Sequence, residues 1–321
     1  MLLGCDRGPR ADEDARGPPL RLLASEPAGG AGLDCDPSAD ACGVPTDTAI
    51  TLRFDRFLLP ASAVWQSILI YTGTPANAVP AGGELTSRYD LLERTVRYGF
   101  PAGFRLHPNT LYTVELPVYS DDLQTGLRAF DGAPLAGTTA VRFVFFTGKG
   151  PAAVPAPSVE PPNCAEVARI FDGCTGCHGT LGAEPEPRMG LSLAGWDAIE
   201  TTALGRVAHQ TEIGETTGVT NEGPLRFGVN MPIIDPERPD NSYLLYKILL
   251  RPEAYAASPD VADDCAAPGG CAPPEAAELE RLRAWFLRGR GMPDTAPGES
   301  FVHHAEAALL QRYVVTGALC P

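Results

Sequence analysis

The chain has 321 residues and a formal net charge of −15, with 44% hydrophobic and 20% charged residues. That length allows two domains with cores of their own, and the charge opposes binding to nucleic acid or to an anionic membrane surface. No stretch is apolar for long enough to span a bilayer as a helix, and nine cysteines suit a protein that folds outside the cytoplasm.

The start reads Met1-Leu2-Leu3-Gly4-Cys5-Asp6. Leu-Leu-Gly-Cys resembles the bacterial lipobox, whose cysteine carries the lipid, although only four residues precede Cys5 here where a signal peptide has a basic and an apolar region. The resemblance makes Cys5 the candidate lipidation site and the membrane a partner through a lipid anchor. The residues up to 34 are rich in Pro, Gly, Asp and Arg and show no periodicity. Residues 1–34 are therefore expected to be a lipoprotein-like start and a disordered tether.

Residues 35–148 are expected to be all-β. Ile50, Leu52 and Phe54 alternate with polar residues, as one face of a strand does. Ser67–Tyr71 is a short apolar run. Val96 and Tyr98, then Tyr112, Val114 and Leu116, then Val141, Phe143 and Phe145 repeat the alternation. Clusters such as Gly82-Gly83, Pro108-Asn109 and Asp131-Gly132 punctuate them, the pattern of a β-sandwich. The run from Ile50 to Pro60, the Leu106–Val114 segment and the closing Phe145-Phe146-Thr147-Gly148 resemble bacterial Ig-like domains of the big-5 type. That resemblance implies an Ig-like sandwich that spaces or docks rather than one that catalyses. Residues 149–163, with five prolines, form a linker expected to be extended.

Residues 164–321 are expected to be all-α. Asn163 can cap a first helix, with Glu166 at capping-box spacing and Val167, Ile170 and Phe171 on one face. Trp196, Ile199, Ala203 and Val207 suggest a second helix. Ser242 can cap a third, bearing Leu244, Leu245, Ile248 and Leu249. A fourth carries Leu279, Leu282, Trp285 and Phe286 and stops at Gly289, and a fifth runs from about Ser300 to Gly317. The fold class expected overall is thus multi-domain, an all-β Ig-like sandwich followed by an all-α domain.

The first helix leads into Cys174-Thr175-Gly176-Cys177-His178. Two thiols three positions apart, followed at once by an imidazole, form the attachment pattern of c-type haem. The thiols add to two vinyl groups of the porphyrin, and the turn delivers His178 to the iron as its proximal ligand. No second such motif occurs, so one covalent haem c is expected. The remaining cysteines pair by proximity and arithmetic as Cys35–Cys42, Cys265–Cys271 and Cys164–Cys320, leaving Cys5 for lipid.

The distal iron ligand has two main candidates. Met292 stands in Arg290-Gly291-Met292-Pro293 between the fourth and fifth helices, and Met231 in Gly228-Val229-Asn230-Met231-Pro232 before the third. A thioether sulfur favours reduced iron and raises its potential. The order of haem helix, attachment motif, middle helices, Met-Pro and terminal helix resembles class I cytochromes c, which favours Met292. The segment Asp235–Leu244 resembles one in large bacterial cytochromes of myxobacterial type and points the same way. His209 is a third candidate. His303 and His304 are neighbours, so at most one can face a core.

These features together imply an exported mono-haem c-type cytochrome, in the periplasm or cell envelope and lipid-anchored. It would pass one electron at a time between redox partner proteins and catalyse no reaction of its own. The rival readings are a haem enzyme of peroxidase type with an open distal face, and a haem-containing surface protein that binds or senses.

Overall fold

The computed structural model describes residues 16–34, 42–79, 85–120, 125–152, 159–179, 190–211, 230–261, 264–265, 271–285, 290–296 and 299–320. Cys5 and Cys35 fall outside these residues. Among the described residues, 16–90 and 94–158 form one compact unit, and 91–93 with those from 159 onward form another.

The first unit contains two small antiparallel sheets. Strands β1 (Leu22–Glu26), β2 (Ile50–Phe54), β5 (Thr95–Gly99) and β4 (Thr86–Asp90) make one sheet in the order β1-β2-β5-β4. Strands β3 (Leu69–Tyr71), β6 (Leu111–Leu116) and β7 (Val141–Phe146) make the other in the order β3-β6-β7. The alternation in the sequence decides which faces are buried. Ile50, Leu52 and Phe54 are fully buried, and Ile50 pairs with Tyr98 and Leu52 with Val96, both equally buried. In the second sheet Tyr112 faces Phe145, their rings stacked with centroids 5.6 Å apart.

Two ionic clusters fix this unit. Arg56 and Asp131 form a buried ion pair, with side chains 3% and 0% exposed. Asp131 also accepts from the N–H groups of Gly17 and Ala133, and Arg56 donates to the carbonyl of Pro18. On the second sheet, Glu115 Oε2 accepts from Tyr71 Oη and from Arg142 Nε, each at 2.8 Å.

The second unit holds five short helices: α1 (Cys164–Cys174), α2 (Trp196–Thr202), α3 (Tyr243–Leu249), α4 (Ala276–Trp285) and α5 (His304–Val315). Asn163 caps α1 by accepting from the N–H of Ala165, and Glu306 closes a capping box on His303 at the head of α5. Rings of Phe171 on α1, Trp196 on α2 and Tyr313 on α5 meet pairwise at 5.8–6.1 Å between centroids. Cys164 and Cys320 form a disulfide that ties the start of α1 to the segment after α5, and Cys265 is bonded to Cys271. Cys42 is also disulfide-bonded.

The expected fold class needs correcting. Among the described residues the chain is mixed α and β, with two small antiparallel sheets and five short helices, not an Ig-like sandwich followed by an all-α cytochrome domain. The sheets are of four and three strands, and one edge strand, β1, comes from the stretch expected to be a tether. In the second unit, α2 and α3 span only seven residues each. Between them the described residues, 203–211 and 230–242, form 3-10 turns at His209–Thr211 and Pro239–Asn241 and carry a parallel bridge from Leu204 to Ile234 and an antiparallel one from Val207 to Pro232. Prolines at 232, 236 and 239 withhold the N–H groups that a helix needs there.

Candidate functional site

Helix α1 ends at Cys174, and its last carbonyls are taken up by the turn that follows. Thr175 donates to the carbonyl of Asp172 through both its N–H and its hydroxyl. The N–H groups of Cys177 and His178 donate to the carbonyl of Cys174 at 3.2 and 3.0 Å. This closed turn sets both thiols and the imidazole on the rim of one cavity of about 730 Å³. The carbonyl of His178 then accepts from Leu193 N–H at 2.9 Å, which anchors the far side of the motif.

Cys174 and Cys177 are not bonded to each other. Burial first, and then the neighbouring Cys177, pushes the Cys174 thiol up to about 11. With no ligand bound it is therefore a neutral thiol at physiological pH.

The cavity walls come from α1, α3, α5 and the irregular stretches beside them. Phe171, Leu193, Ile248, Phe301 and Leu310 supply apolar surface. Gly173 has a specific role here, because a Cβ at that position would meet the Phe301 ring at 2.6–2.7 Å. Glycine is what lets that ring lie against α1, one residue before Cys174.

Met292 lines the same cavity. Its N–H donates to the carbonyl of Lys247 at 2.8 Å, in the last turn of α3. Met231 is placed differently. It is 2% exposed, it does not line the cavity, and its carbonyl accepts from Ala208 N–H and the Thr211 hydroxyl. His209 also lines the cavity, from a 3-10 turn over His209–Thr211. The structure therefore brings Cys174, Cys177, His178, Met292 and His209 to one space and leaves Met231 in the core.

Two polar residues of the cavity were not legible as site residues in the sequence. Lys247 is 6% exposed, and its ammonium lies 5.9 Å from the Tyr243 ring centroid. Burial, with Arg283 nearby, lowers its pKa to about 8, against an opposing pull from Asp294. Tyr243 donates to Gln210 Oε1, and burial raises its pKa. The only clue was their place on an amphipathic helix, which marks a buried face and not a ligand.

The residues fit a haem. A volume of about 730 Å³ lies within the range of cofactor clefts, roughly 300–1,000 Å³. The walls are mostly apolar, both thiols are available for thioether formation, and an imidazole and a thioether sulfur reach the same space. Away from the cavity, His304 sits between two carboxylates of its own unit, Asp264 and Glu93, with 2.8 Å to each ring nitrogen. Burial pulls the His304 pKa down, but those hydrogen bonds outweigh it and hold it above the usual histidine value.

Among the described residues, no helix is long and apolar enough to cross a membrane. No protein-family model and no curated protein matches the sequence. Among solved structures, the N-terminal part of the bacterial S-layer protein SbsC aligns with 14% identity and a TM-score of 0.25, covering 44% of this chain and 25% of that one. SbsC domains 1–6 and rSbsC(31–844) align at 13% and 14% identity with the same TM-score, covering 44% and 46% of this chain. The chain thus spans a quarter or less of those structures, and similarity this slight identifies neither a fold nor a function.

Proposed function

We propose that this protein is an exported mono-haem c-type cytochrome that passes single electrons between redox partners at the cell envelope. The observation that carries the proposal is the convergence of Cys174, Cys177, His178 and Met292 on one mostly apolar cavity of about 730 Å³. Cys174 and Cys177 would tether the haem by thioethers, and His178 and Met292 would ligate its iron. The haem would supply a one-electron iron couple, while the chain supplies attachment, axial ligands, burial and orientation.

The chain's own groups fit a carrier better than an enzyme. Apolar walls around Phe171, Ile248 and Leu310 keep water away, and a thioether sulfur on the distal side favours reduced iron. With His178 and Met292 both holding the iron, the chain would leave a substrate no ligand site there. The first unit and a lipid anchor at Cys5 would hold the haem unit at a distance from the membrane, and the net charge of −15 suits basic or neutral partners.

The test is an absorption spectrum of the full chain produced with a c-type haem attachment system. The expected result is covalent haem with two thioether links, a low-spin reduced spectrum and the methionine–iron charge-transfer band in the oxidised form. Met292→Ala removes that band and Met231→Ala leaves it. A five-coordinate, high-spin spectrum would sink the carrier reading in favour of an open-site haem enzyme. A low-spin spectrum without the methionine band that changes in His209→Ala would replace Met292 by His209.

A further inference from the structure

Met292 belongs to a stretch with neither helix nor strand, so its place at the cavity needs an explanation beyond local structure. One tie is the hydrogen bond from its N–H to the carbonyl of Lys247. That carbonyl is in the final turn of α3, where a helix leaves carbonyls for partners outside it. A single backbone hydrogen bond of this kind contributes less than the cost of ordering several loop residues. Something else must hold the strap.

Arg251, two residues beyond α3, grips it at both ends. The stem of Arg251 lies against Gly291, where an added Cβ would meet Arg251 Cγ at 2.9 Å, its Cδ at 3.0 Å and Leu250 Cβ at 3.1 Å. The guanidinium reaches past Met292 to the other end. Nη1 donates to the carbonyl of Thr295 at 3.2 Å, and Nη2 to the carbonyl of Ala296 at 3.3 Å and the Thr295 hydroxyl at 3.5 Å. Glu253 balances the charge, accepting from Nη2 at 3.1 Å, and the two side chains are 14% and 15% exposed. One planar fork thus binds several strap acceptors at once, which a lysine ammonium on a flexible stem does not reproduce.

We infer that Arg251 is a positioning residue for Met292: it clamps residues 291–296 to the end of α3 and so fixes the thioether on the cavity. Gly291 completes the clamp, because any side chain there pushes the strap off the Arg251 stem. The inference rests on the haem reading for its consequence at the iron, but not for the clamp itself. A thioether is a weak iron ligand, so its hold depends on how little entropy remains to be lost when it binds.

The experiment uses the full haem protein, with Arg251→Gln and Gly291→Ala as variants that attack the clamp from opposite sides. Covalent haem content and far-ultraviolet dichroism establish folding, and if one variant does not fold the other decides. Expected are faster hydrogen exchange over residues 290–296 with α3 unchanged, a weaker methionine–iron band, and imidazole binding to the oxidised iron about tenfold tighter. Arg251→Lys should fall between Arg251→Gln and wild type. Unchanged exchange, or unchanged imidazole affinity, in a folded variant overturns the inference. If wild type itself lacks a methionine band, the haem-ligand reading has failed instead, and the exchange data still judge the clamp.

Discussion

The N–H of Met292 and the carbonyl of Lys247 meet at 2.8 Å, so the Met292 strap is tied to the same residue whose buried side chain lines the cavity. Backbone and side chain of Lys247 therefore act on the site by separate means, one mechanical and one electrostatic.

The electrostatic part has a definite sign. A positive charge in a low-dielectric space disfavours the oxidised, more positive iron. Lys247→Met keeps the backbone bond and the length of the side chain but removes the charge. The midpoint potential should fall, on the order of tens of millivolts, with the methionine band retained. Redox titration of wild type and variant at pH 7 checks it, and an unchanged or higher potential contradicts it.

Glu115 predicts the acid limb of stability in the first unit. The hydrogen bond from Arg142, opposed by burial and aided by Tyr71, holds its carboxyl below the ordinary value. A lowered carboxylate pKa contributes stability that is fully present above the unfolded value, near 4.3, and is lost as pH falls through the folded value. Glu115→Gln should cost about 1–2 kcal/mol at pH 7 and flatten the fall in stability below about pH 4. Denaturant unfolding followed against pH gives the slope.

Asp131 is where the first unit should be most sensitive to a single change. Asp131→Ala removes the carboxylate from Arg56 and the acceptor from Gly17 and Ala133. Breaking a buried pair from one side costs about 3–5 kcal/mol, because the other charge stays in place. The segment around Gly17 and Pro18, held through both partners, should become a site of early proteolysis. Resistance equal to wild type would count against the cluster as an anchor.

Replacing both Cys164 and Cys320 by Ala should lower the stability of the second unit by about 2–4 kcal/mol, since the bond closes a loop over 156 positions. The Phe171–Trp196–Tyr313 ring cluster, which joins α1 to α5, provides the reporter. Its near-ultraviolet dichroism should melt at a lower temperature in the double variant.

What could be read from the sequence was whatever depends on neighbours a few residues away. Alternation at Ile50, Leu52 and Phe54 located β2, and apolar spacing located α1 through Val167, Ile170 and Phe171, all of them buried. Strand β1 was hidden because Leu22–Glu26 sits among Pro and Gly residues and is ordered by pairing with β2, a partner about 28 positions on. The mixed class was hidden for a related reason. Helical spacing marks where helices start, but not that α2 and α3 stop after seven residues, α2 giving way to bridged chain and α3 to a 3-10 turn at Pro252–Tyr255.

The candidate site divides along the same line. Cys174, Cys177 and His178 form a motif because their chemistry requires adjacency. Met292 and Met231 both precede proline, and no local signal separates them. Bridges at Val207–Pro232 and Leu204–Ile234 pull Met231 into the core, and Arg251 binds the Met292 strap through Thr295, 44 positions on. Nothing local separated His304 from His303, because the partners of His304, Asp264 and Glu93, lie 40 and 211 positions back.

The bond between Cys164 and Cys320 has a temporal consequence. Its two sulfurs are separated by 156 positions, so it cannot close until all of that chain has been made. Cys174 and Cys177 arrive long before Cys320 does, with Cys164 still a bare thiol ten residues upstream. During that interval three thiols on one short helix and its turn compete for the same oxidants. Capture of Cys174 and Cys177 by a covalent cofactor would take two of them out of that competition, leaving Cys164 to wait for its distant partner.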